Sequence, residues 1–460
     1  MKIYNSLTRK KEELTSKNGF VRMYSCGPTV YYYPHIGNMR AYIFMDSLRR
    51  AIKFNGYGIK GVMNITDVGH LTSDEDDGDD KMEVASKREN KSPYEIASFY
   101  TSVFMDNLNK LNIDMPEYIT KATEYVDKMI SFIQKLEAKG YTYIIDDGVY
   151  FDIQKFKGYG ELSGKDLEKV GVARIEENSN KRHAFDFALW KFVSNNHIMK
   201  WDSPWGVGCP GWHIECSAMS NDILGDTIDV HTGGIDHKPV HHENEIAQND
   251  CALGHQVVRA WMHCEFLQID GGKMSKSLNN LYTIDQLTEK GYSPMDFKYF
   301  CLNTHYAKKI NFTFEALNSA KIALKNLGKL LLAHKNSLIK TPKNILEDYA
   351  VQFKDAISDD LNTPKALGIL WTMLKEEKSS DIYALALNFD KALGLKLEEL
   401  ALVSQQEKSI PENVLRLAEE RLEARKNKNF ALSDQLRAQI NSLGYIISDT
   451  KDGFTLTENK

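Results

Sequence analysis

A doubly wound α/β fold built on a parallel sheet is the class this sequence predicts, and three observations carry it. The stretch "GFVRMYSCGP" (19–28) is apolar, rich in β-branched and aromatic residues, and ends on Gly27 and Pro28, which reads as a strand entering a turn. A helical pattern follows: Ala41, Phe44, Met45, Leu48 and Ile52 share one face, and Gly56 stops the run. "IKGVMNIT" (59–66) is a second apolar run of strand length. Strand, helix and strand within about 45 residues make a βαβ unit, which favours a parallel sheet. Ligands of such sheets bind at the strand C-terminal ends, where Cys26 and Thr66 fall.

The other elements follow in order. Asn38 is a good N-cap for the first helix. The acidic, glycine-containing stretch at 73–80 reads as a solvated loop, with a divalent-cation site as the alternative. From 92 to 138 the pattern is helical, and from 141 to 165 it turns to short β segments with glycine turns, a small α+β insertion. The sheet pattern resumes near "DFALWKF" (186–192). After the lysine loop (271–280) the chain is mainly helical to about 398, an α-helical bundle, and the polar "SQQEKSIPEN" (404–413) reads as a linker. The last stretch predicts one basic helix, "VLRLAEERLEARKNKNFALSDQLRAQINSLG", and a short β ending, a small C-terminal α+β module.

At 460 residues the chain exceeds one ordinary domain, and length alone suggests about three. Hydrophobic residues make up 42% and charged residues 26%, as in ordinary globular proteins. A net charge of −5 excludes a generally basic nucleic-acid coat, so any polyanion must meet local patches. The N-terminus turns polar at once, and no apolar run approaches the roughly 20 residues of a membrane span. Six scattered cysteines do not form a disulfide pattern. The expectation is a cytoplasmic protein that does not enter a membrane.

"GGKMSKSLNN" (271–280) sets Lys273 and Lys276 behind two glycines. Alone it reads as a solvated turn; with a partner motif it reads as a mobile clamp for phosphates. "PHIGN" is that partner. His35 lies before Gly37 at a helix N-terminus, where the helix dipole favours negative charge and glycine admits a close ligand. Together they suit a reaction that expels pyrophosphate, which depends mainly on electrostatic stabilisation.

The densest constellation is "GWHIECSAMS" (211–220) with "DVHTGGIDHKPVHHENEIAQND" (229–250). His241 and Glu245 are four apart on a helix and face the same way. Cys216 supplies a thiolate, and Cys26 sits at a strand end that can face it. Cys26, Cys216, His241 and Glu245 make a four-ligand zinc shell, since zinc accepts S, N and O donors. Cys209 is a rival ligand that spacing leaves open, and a buried His–Glu pair with two core cysteines is the plainer reading. A zincin is disfavoured, because no second histidine follows one turn after the glutamate. "GGIDH" lacks the spacing of a dinucleotide fingerprint.

On these residues the chain resembles the cysteinyl-tRNA synthetase family of class I aminoacyl-tRNA synthetases. "CGPTVYYYPHIGNMR" resembles the first class I motif and "GGKMSKSLNN" the second; "GWHIECSAMS" and "HHENEIAQ" resemble the family's zinc segments. "DDLNTPKAL" (359–367) and "ALSDQLRAQINSLGYIISDT" resemble its helical and C-terminal parts. The resemblance implies ATP-dependent activation of L-cysteine and its transfer to tRNA(Cys), with Zn2+ selecting the thiolate and Mg2+ accompanying ATP. It implies one zinc per chain on Cys26, Cys216, His241 and Glu245, which makes Cys209 a bystander. His35 and the backbone around Gly37 would contact ATP phosphates, with Asn38 beside them. Gly233, Gly234 and Asp236 would hold the adenosine. Lys276 would stabilise the leaving pyrophosphate, with Lys273 assisting. Thr66, Trp212 and His231 would line the cysteine pocket together with Cys26.

The implied domains are 1–91 with 201–270 for the Rossmann-like catalytic part and 92–200 for a connective insertion. The lysine loop and stem-contact region would occupy 271–330, a helical tRNA-binding bundle 331–403, and an anticodon-recognition module 411–460. A monomer is expected. Three features depart from the pattern, one being the acidic loop at 73–80, unusual for the family's best-known members. Asn38 stands where many relatives carry a second histidine, and it cannot bear charge. "DHKPVHH" puts proline two residues before the histidine pair instead of directly before it. A cysteine-activating ligase that serves an amino sugar would share everything up to the lysine loop. Against it stands the basic tail with Arg416, Arg421, Arg425, Lys426, Lys428 and Arg437.

Overall fold

The computed structural model describes residues 1–14, 16–69, 81–164, 180–194, 196–272, 281–406, 411–450 and 453–458. Lys273 and Lys276 and the acidic loop at 73–80 lie outside them. The chain divides into two compact units, Met1–Glu398 and Glu399–Lys460.

The first unit is organised by a five-stranded sheet whose spatial order is Trp261–Cys264, Val230–Gly234, Phe20–Ser25, Gly58–Ile65, Tyr118–Lys121. Every neighbouring pair is parallel. Its inner strands are nearly continuous apolar runs because both faces are covered; Val21, Met23, Val62 and Met63 are all buried. The helices Ile36–Phe54, Pro93–Lys110, Trp212–Leu224 and His241–Leu253 lie between successive strands in the chain. The strand order reverses between Phe20–Ser25 and Val230–Gly234, neighbours in space but far apart in sequence. A crevice at such a switch point, beyond the strand C-termini, is where open α/β sheets bind ligands.

A second sheet of four antiparallel strands comprises Thr142–Ile145, Gly148–Phe151, Phe187–Phe192 and Gly208–Pro210. One core cluster runs from Tyr24 and Val62 through helix Val126–Ala138 to Phe151, Phe187 and Trp190, so the two sheets share their apolar interior. Helices Phe314–Lys335, Lys343–Ser358, Thr363–Met373 and Ser380–Leu393 complete this unit.

Several local expectations are corrected. The strand at 187–192 joins the antiparallel sheet instead of resuming the parallel one, and Tyr118–Lys121, inside a stretch read as helical, is the parallel sheet's edge strand. Apolar pattern reveals a strand but not its partner. Asn38 is not the N-cap: His35 is, and Asn38 occupies the third helical position in a capping box. Asparagine can accept from the cap backbone N–H there just as it can cap a helix itself.

The basic tail is not one helix. It breaks into Glu412–Lys426 and Phe430–Ser442, with Lys428 in the left-handed region at φ 57°. These pack on the hairpin Tyr445–Thr450 and Gly453–Glu458 around Val414, Ala418, Ile440, Tyr445 and Ile447. Arg421, 1% exposed, grips Asp449 with two bonds of 2.7 and 3.2 Å, and Arg425 pairs with the same carboxylate. Arg437 joins them at 3.6 Å, so three of the tail's arginines pair with Asp449 within the module.

Candidate active site and metal centre

Three elements bring the cysteine–histidine–glutamate group together at the switch point. Cys26 ends the first strand, and its N–H extends the ladder to Thr232 O. Cys216 sits in the second turn of helix Trp212–Leu224; His241 opens helix His241–Leu253, and Glu245 lies one turn on. Ligand atoms of Cys26, Cys216, His241 and Glu245 all lie within 4.8 Å of one another, and all four residues are buried. Cys216 Sγ is 3.4 Å from His241 Nε2, His241 Nε2 is 3.1 Å from Glu245 Oε1, and Cys26 Sγ is 3.8 Å from that oxygen. Zinc at ordinary bond lengths needs tetrahedral edges of ~3.3–3.8 Å, so the donor set fits such an ion.

A second convergent set is Cys26, His231, His242 and Glu245. In it His231 Nε2 stands 2.9 Å from Glu245 Oε2, a hydrogen-bond distance that orients the carboxylate. His242 turns its Nδ1 to His263 Nε2 at 2.8 Å, and His263 Nδ1 meets Ser6 Oγ at 2.7 Å. Cys209, in the strand Gly208–Pro210, belongs to neither set.

The electrostatics match a cation site. Burial pushes Glu245 up, but His231 and His241 more than offset it and hold the carboxyl down at about 2. Burial pulls His241 down, yet Cys216 and Glu245 lift it to about 10. Burial also raises Cys216, but the bond from Cys26 and the charge of His241 bring it below the usual thiol range. Cys26 is driven well above that range by burial, then by Cys216 and Glu245. A divalent cation bound here would replace the protons of His241 and Cys26.

In front of this group opens a cavity of about 940 Å³, lined by Cys26, Cys216 and His241 together with His35, Gly37, Asn38, Thr66, Trp212, Gly233, Gly234 and Asp236. His35 Nδ1 accepts from the Asn38 N–H at 3.3 Å, while Asn38 Oδ1 accepts from the His35 N–H at 3.1 Å. A neutral His35 then carries its proton on Nε2, the nitrogen that the cap bond does not use. A Cβ at Gly233 would lie 2.6 Å from the buried His242 ring, and one at Gly234 would lie 2.2 Å from Asp236 Oδ1 and push that carboxylate aside. Thr66 Oγ1 donates to Glu215 at 2.7 Å and accepts from Asn64 at 3.1 Å. Trp212 packs on His241 with ring centroids 4.4 Å apart.

His231 and Glu245 are not among the residues lining this cavity. His231 stacks on Trp261 at 4.4 Å and grips Glu245 from behind. Sequence reasoning missed three residues. His213 places Nδ1 2.9 Å from His241 Nδ1, the ring atom away from the sulfur. His237 lines the cavity between Asp236 and His241. Tyr24 is wholly buried, and the neighbouring Cys216, Cys26 and Glu245 add to burial in pushing its phenol up. Tyr24 and His213 left signals: Tyr24 lies two residues before Cys26, so strand alternation puts both on one face, and His213 lies three before Cys216 on one helix.

The parallel sheet, its switch-point cavity and the glycine-bounded helix N-terminus define a class I aminoacyl-tRNA synthetase catalytic domain. The family model "tRNA synthetases class I (C) catalytic domain" matches residues 12–322. The chain belongs to the cysteine–tRNA ligase family. A cysteine–tRNA ligase of Treponema denticola is 42% identical, covering 98% of each chain, and one of Borrelia hermsii is 39% identical at the same coverage. Among solved structures, Mycobacterium tuberculosis methionyl-tRNA synthetase bound by methionyl-adenylate has a TM-score of 0.55 over 84% of this chain and 91% of its own. At 14% identity that likeness concerns the fold alone. Among the described residues no helix is long and apolar enough to cross a membrane.

Proposed function

We propose that this cavity joins L-cysteine to tRNA(Cys) in two steps. The cysteine carboxylate attacks the α-phosphate of ATP and pyrophosphate leaves; the terminal adenosine hydroxyl of tRNA then attacks the adenylate carbonyl, releasing AMP. The observation that carries this reading is the convergence of two thiols, an imidazole and a carboxylate within 4.8 Å of one another, the thiols and the imidazole on the wall of a cavity that His35, Gly37 and Asp236 also line.

His35 donates from Nε2 to a phosphate oxygen, its ring oriented by the cap bond to Asn38. The Asn38 amide group donates alongside it. The backbone at Gly233 and Gly234 admits the planar adenosine, and Asp236 accepts from the ribose hydroxyls. Lys276, with Lys273, neutralises the departing pyrophosphate, whose Mg2+ comes with ATP. Trp212 and Thr66 bound the cysteine, and His231 holds Glu245 in place. Cys26, Cys216, His241 and Glu245 would hold zinc, favoured over the second set because two thiols suit a soft site and Glu245 Oε2 stays with His231. Bound there, zinc would take the substrate thiolate, and a serine hydroxyl is a far poorer donor to it.

The remaining assignments belong to the same reading: a cytoplasmic monomer, catalytic residues 1–91 and 201–270, an insertion at 92–200, stem contacts at 271–330, a tRNA-binding bundle at 331–403, and anticodon recognition at 411–460. The test is charging of total tRNA with labelled cysteine or serine, beside cysteine-dependent ATP–pyrophosphate exchange. Cysteine alone should be charged, and metal removal should abolish charging until zinc is restored. Exchange without charging would favour the amino-sugar ligase. Charging that survives complete metal removal would overturn the zinc assignment.

A further inference from the structure

The loop between Cys26 and His35 carries three consecutive tyrosines that the chemistry above leaves without a task. Tyr32 and Tyr33 are 39% and 43% exposed, and both line the cavity. Helix Pro93–Lys110 brings Phe99, 39% exposed, and Tyr100 against them. Ring centroids lie 5.1 Å apart for Tyr33 and Tyr100, 6.1 Å for Tyr33 and Phe99, and 6.3 Å for the stacked pair Tyr32 and Tyr100. Tyr33 meets Phe99 and Tyr100 edge to face and Tyr100 is buried, so the exposed rings of the cluster are Tyr32, Tyr33 and Phe99; a contiguous exposed apolar patch marks an interaction site where scattered residues do not.

Two cations also lie over these rings, with Glu89 between them at 2.6 Å from Arg88 and 3.7 Å from Lys91. The Arg88 guanidinium lies 4.9 Å from the Tyr32 ring centroid, and the Lys91 ammonium 4.8 Å from that of Phe99. Glu89 and the Tyr100 hydroxyl hold Arg88 in position. Aromatic faces interleaved with cations bind unpaired nucleotides: bases stack on the rings, and phosphates meet the charges without sequence preference. The loop is anchored at Cys26 and at His35, so a strand lying on it reaches the cavity at its end.

We propose that Tyr32, Tyr33 and Phe99, with Arg88 and Lys91, form a stacking platform for the unpaired nucleotides that precede the terminal adenosine of tRNA. The inference rests on the ligase reading and adds to it a docking surface. It is tested on the full chain with zinc, comparing the unmodified protein with Tyr32→Ala/Tyr33→Ala and Tyr32→Phe/Tyr33→Phe. Stacking of about 1–3 kcal/mol per base predicts that kcat/KM for tRNA falls roughly tenfold or more in the alanine pair and stays within about twofold in the phenylalanine pair. Pyrophosphate exchange, which needs no tRNA, should be unchanged in both and reports correct folding. A tRNA shortened by its unpaired 3′ nucleotides should inhibit charging equally well with every variant.

Loss of exchange in parallel with charging, or a raised KM for ATP, would make the tyrosines part of the adenylate site and overturn the platform. Unchanged charging by the alanine pair would also overturn it. An unmodified protein that neither exchanges nor charges would refute the ligase reading itself.

Discussion

Two buried ionic clusters in the first unit have opposite construction. In one, Lys298 and Asp46 are both wholly buried. Lys298 Nζ donates to Asp46 Oδ2 at 2.7 Å and to the carbonyls of Leu111 and Asn112 at 3.0 Å each, which uses all its protons. Asp46 Oδ1 accepts from Arg50 Nε at 2.8 Å and from the Asp114 N–H at 2.7 Å. Donors and acceptors balance. The cluster ties helix Ile36–Phe54 to helix Pro294–Leu302 and to the residues that follow helix Pro93–Lys110. In the other, Cys26, Cys216, His241 and Glu245 turn lone-pair atoms toward one another with few protons to share. Burial of charge is common to both. Convergence of acceptors is what distinguishes the site that suits a cation from the one that holds the fold.

The largest test of this contrast is Lys298→Met. It strands Asp46 without its main cation, and removing one partner of a buried pair costs about 3–5 kcal/mol. Urea unfolding of the zinc-loaded protein should show that loss. A loss below about 1 kcal/mol would mean that Arg50 and the backbone donors satisfy Asp46 alone, and the cluster would not be the closed unit described.

The same contrast explains what can be read from the sequence. The i, i+4 spacing of His241 and Glu245 and the strand-end place of Cys26 are local features, so they are legible. The partners that complete them come from distant segments: His231 from another strand, His213 from another helix, and His263 from a third element. The parallel sheet is legible because a βαβ unit is local, whereas the sheet joined by Phe187–Phe192 depends on pairing with Gly148–Phe151. The tail's arginines look alike in sequence, and only the fold shows that the hairpin's Asp449 gathers Arg421, Arg425 and Arg437 while Arg416 pairs with Glu420 along its helix. His35 escapes notice as a cap because histidine is an uncommon N-cap, while Asn38 is a common one.

A smaller effect is expected at His231, which touches the convergent cluster only through Glu245 Oε2. Groups that orient a metal ligand typically contribute 10–100-fold to metal affinity, or about 1.4–2.7 kcal/mol. His231→Leu should weaken zinc binding by that factor in competition with a chelating dye. His231→Gln, which keeps a donor, should recover part of it. If His231→Leu bound zinc as tightly as the unmodified chain, the carboxylate would need no orienting partner. If it lost zinc altogether, the second convergent set would become the better assignment.

The smallest effect lies between the two clusters in character, at a half-buried carboxylate with a single donor among the described residues. Asp250 Oδ1 accepts from the Val257 N–H at 2.9 Å. Burial raises this carboxyl from 3.8 to about 6, and the backbone bond and His255 only partly oppose it. The sign follows from which form the fold prefers. Because the folded value lies above the unfolded one, the folded chain favours the protonated acid. Its contribution is fully present below pH 3.8 and is lost as pH rises through 6. Asp250→Asn keeps the accepted bond and stays neutral, so it should be the more stable chain at pH 8. The gain should be on the order of 1 kcal/mol after allowance for solvent screening, and it should vanish at the acid end of the window. Urea unfolding at several pH values measures it. A variant less stable at pH 8 would mean that the Asp250 carboxylate is balanced as Asp46 is, and donor count would no longer separate closed clusters from strained ones.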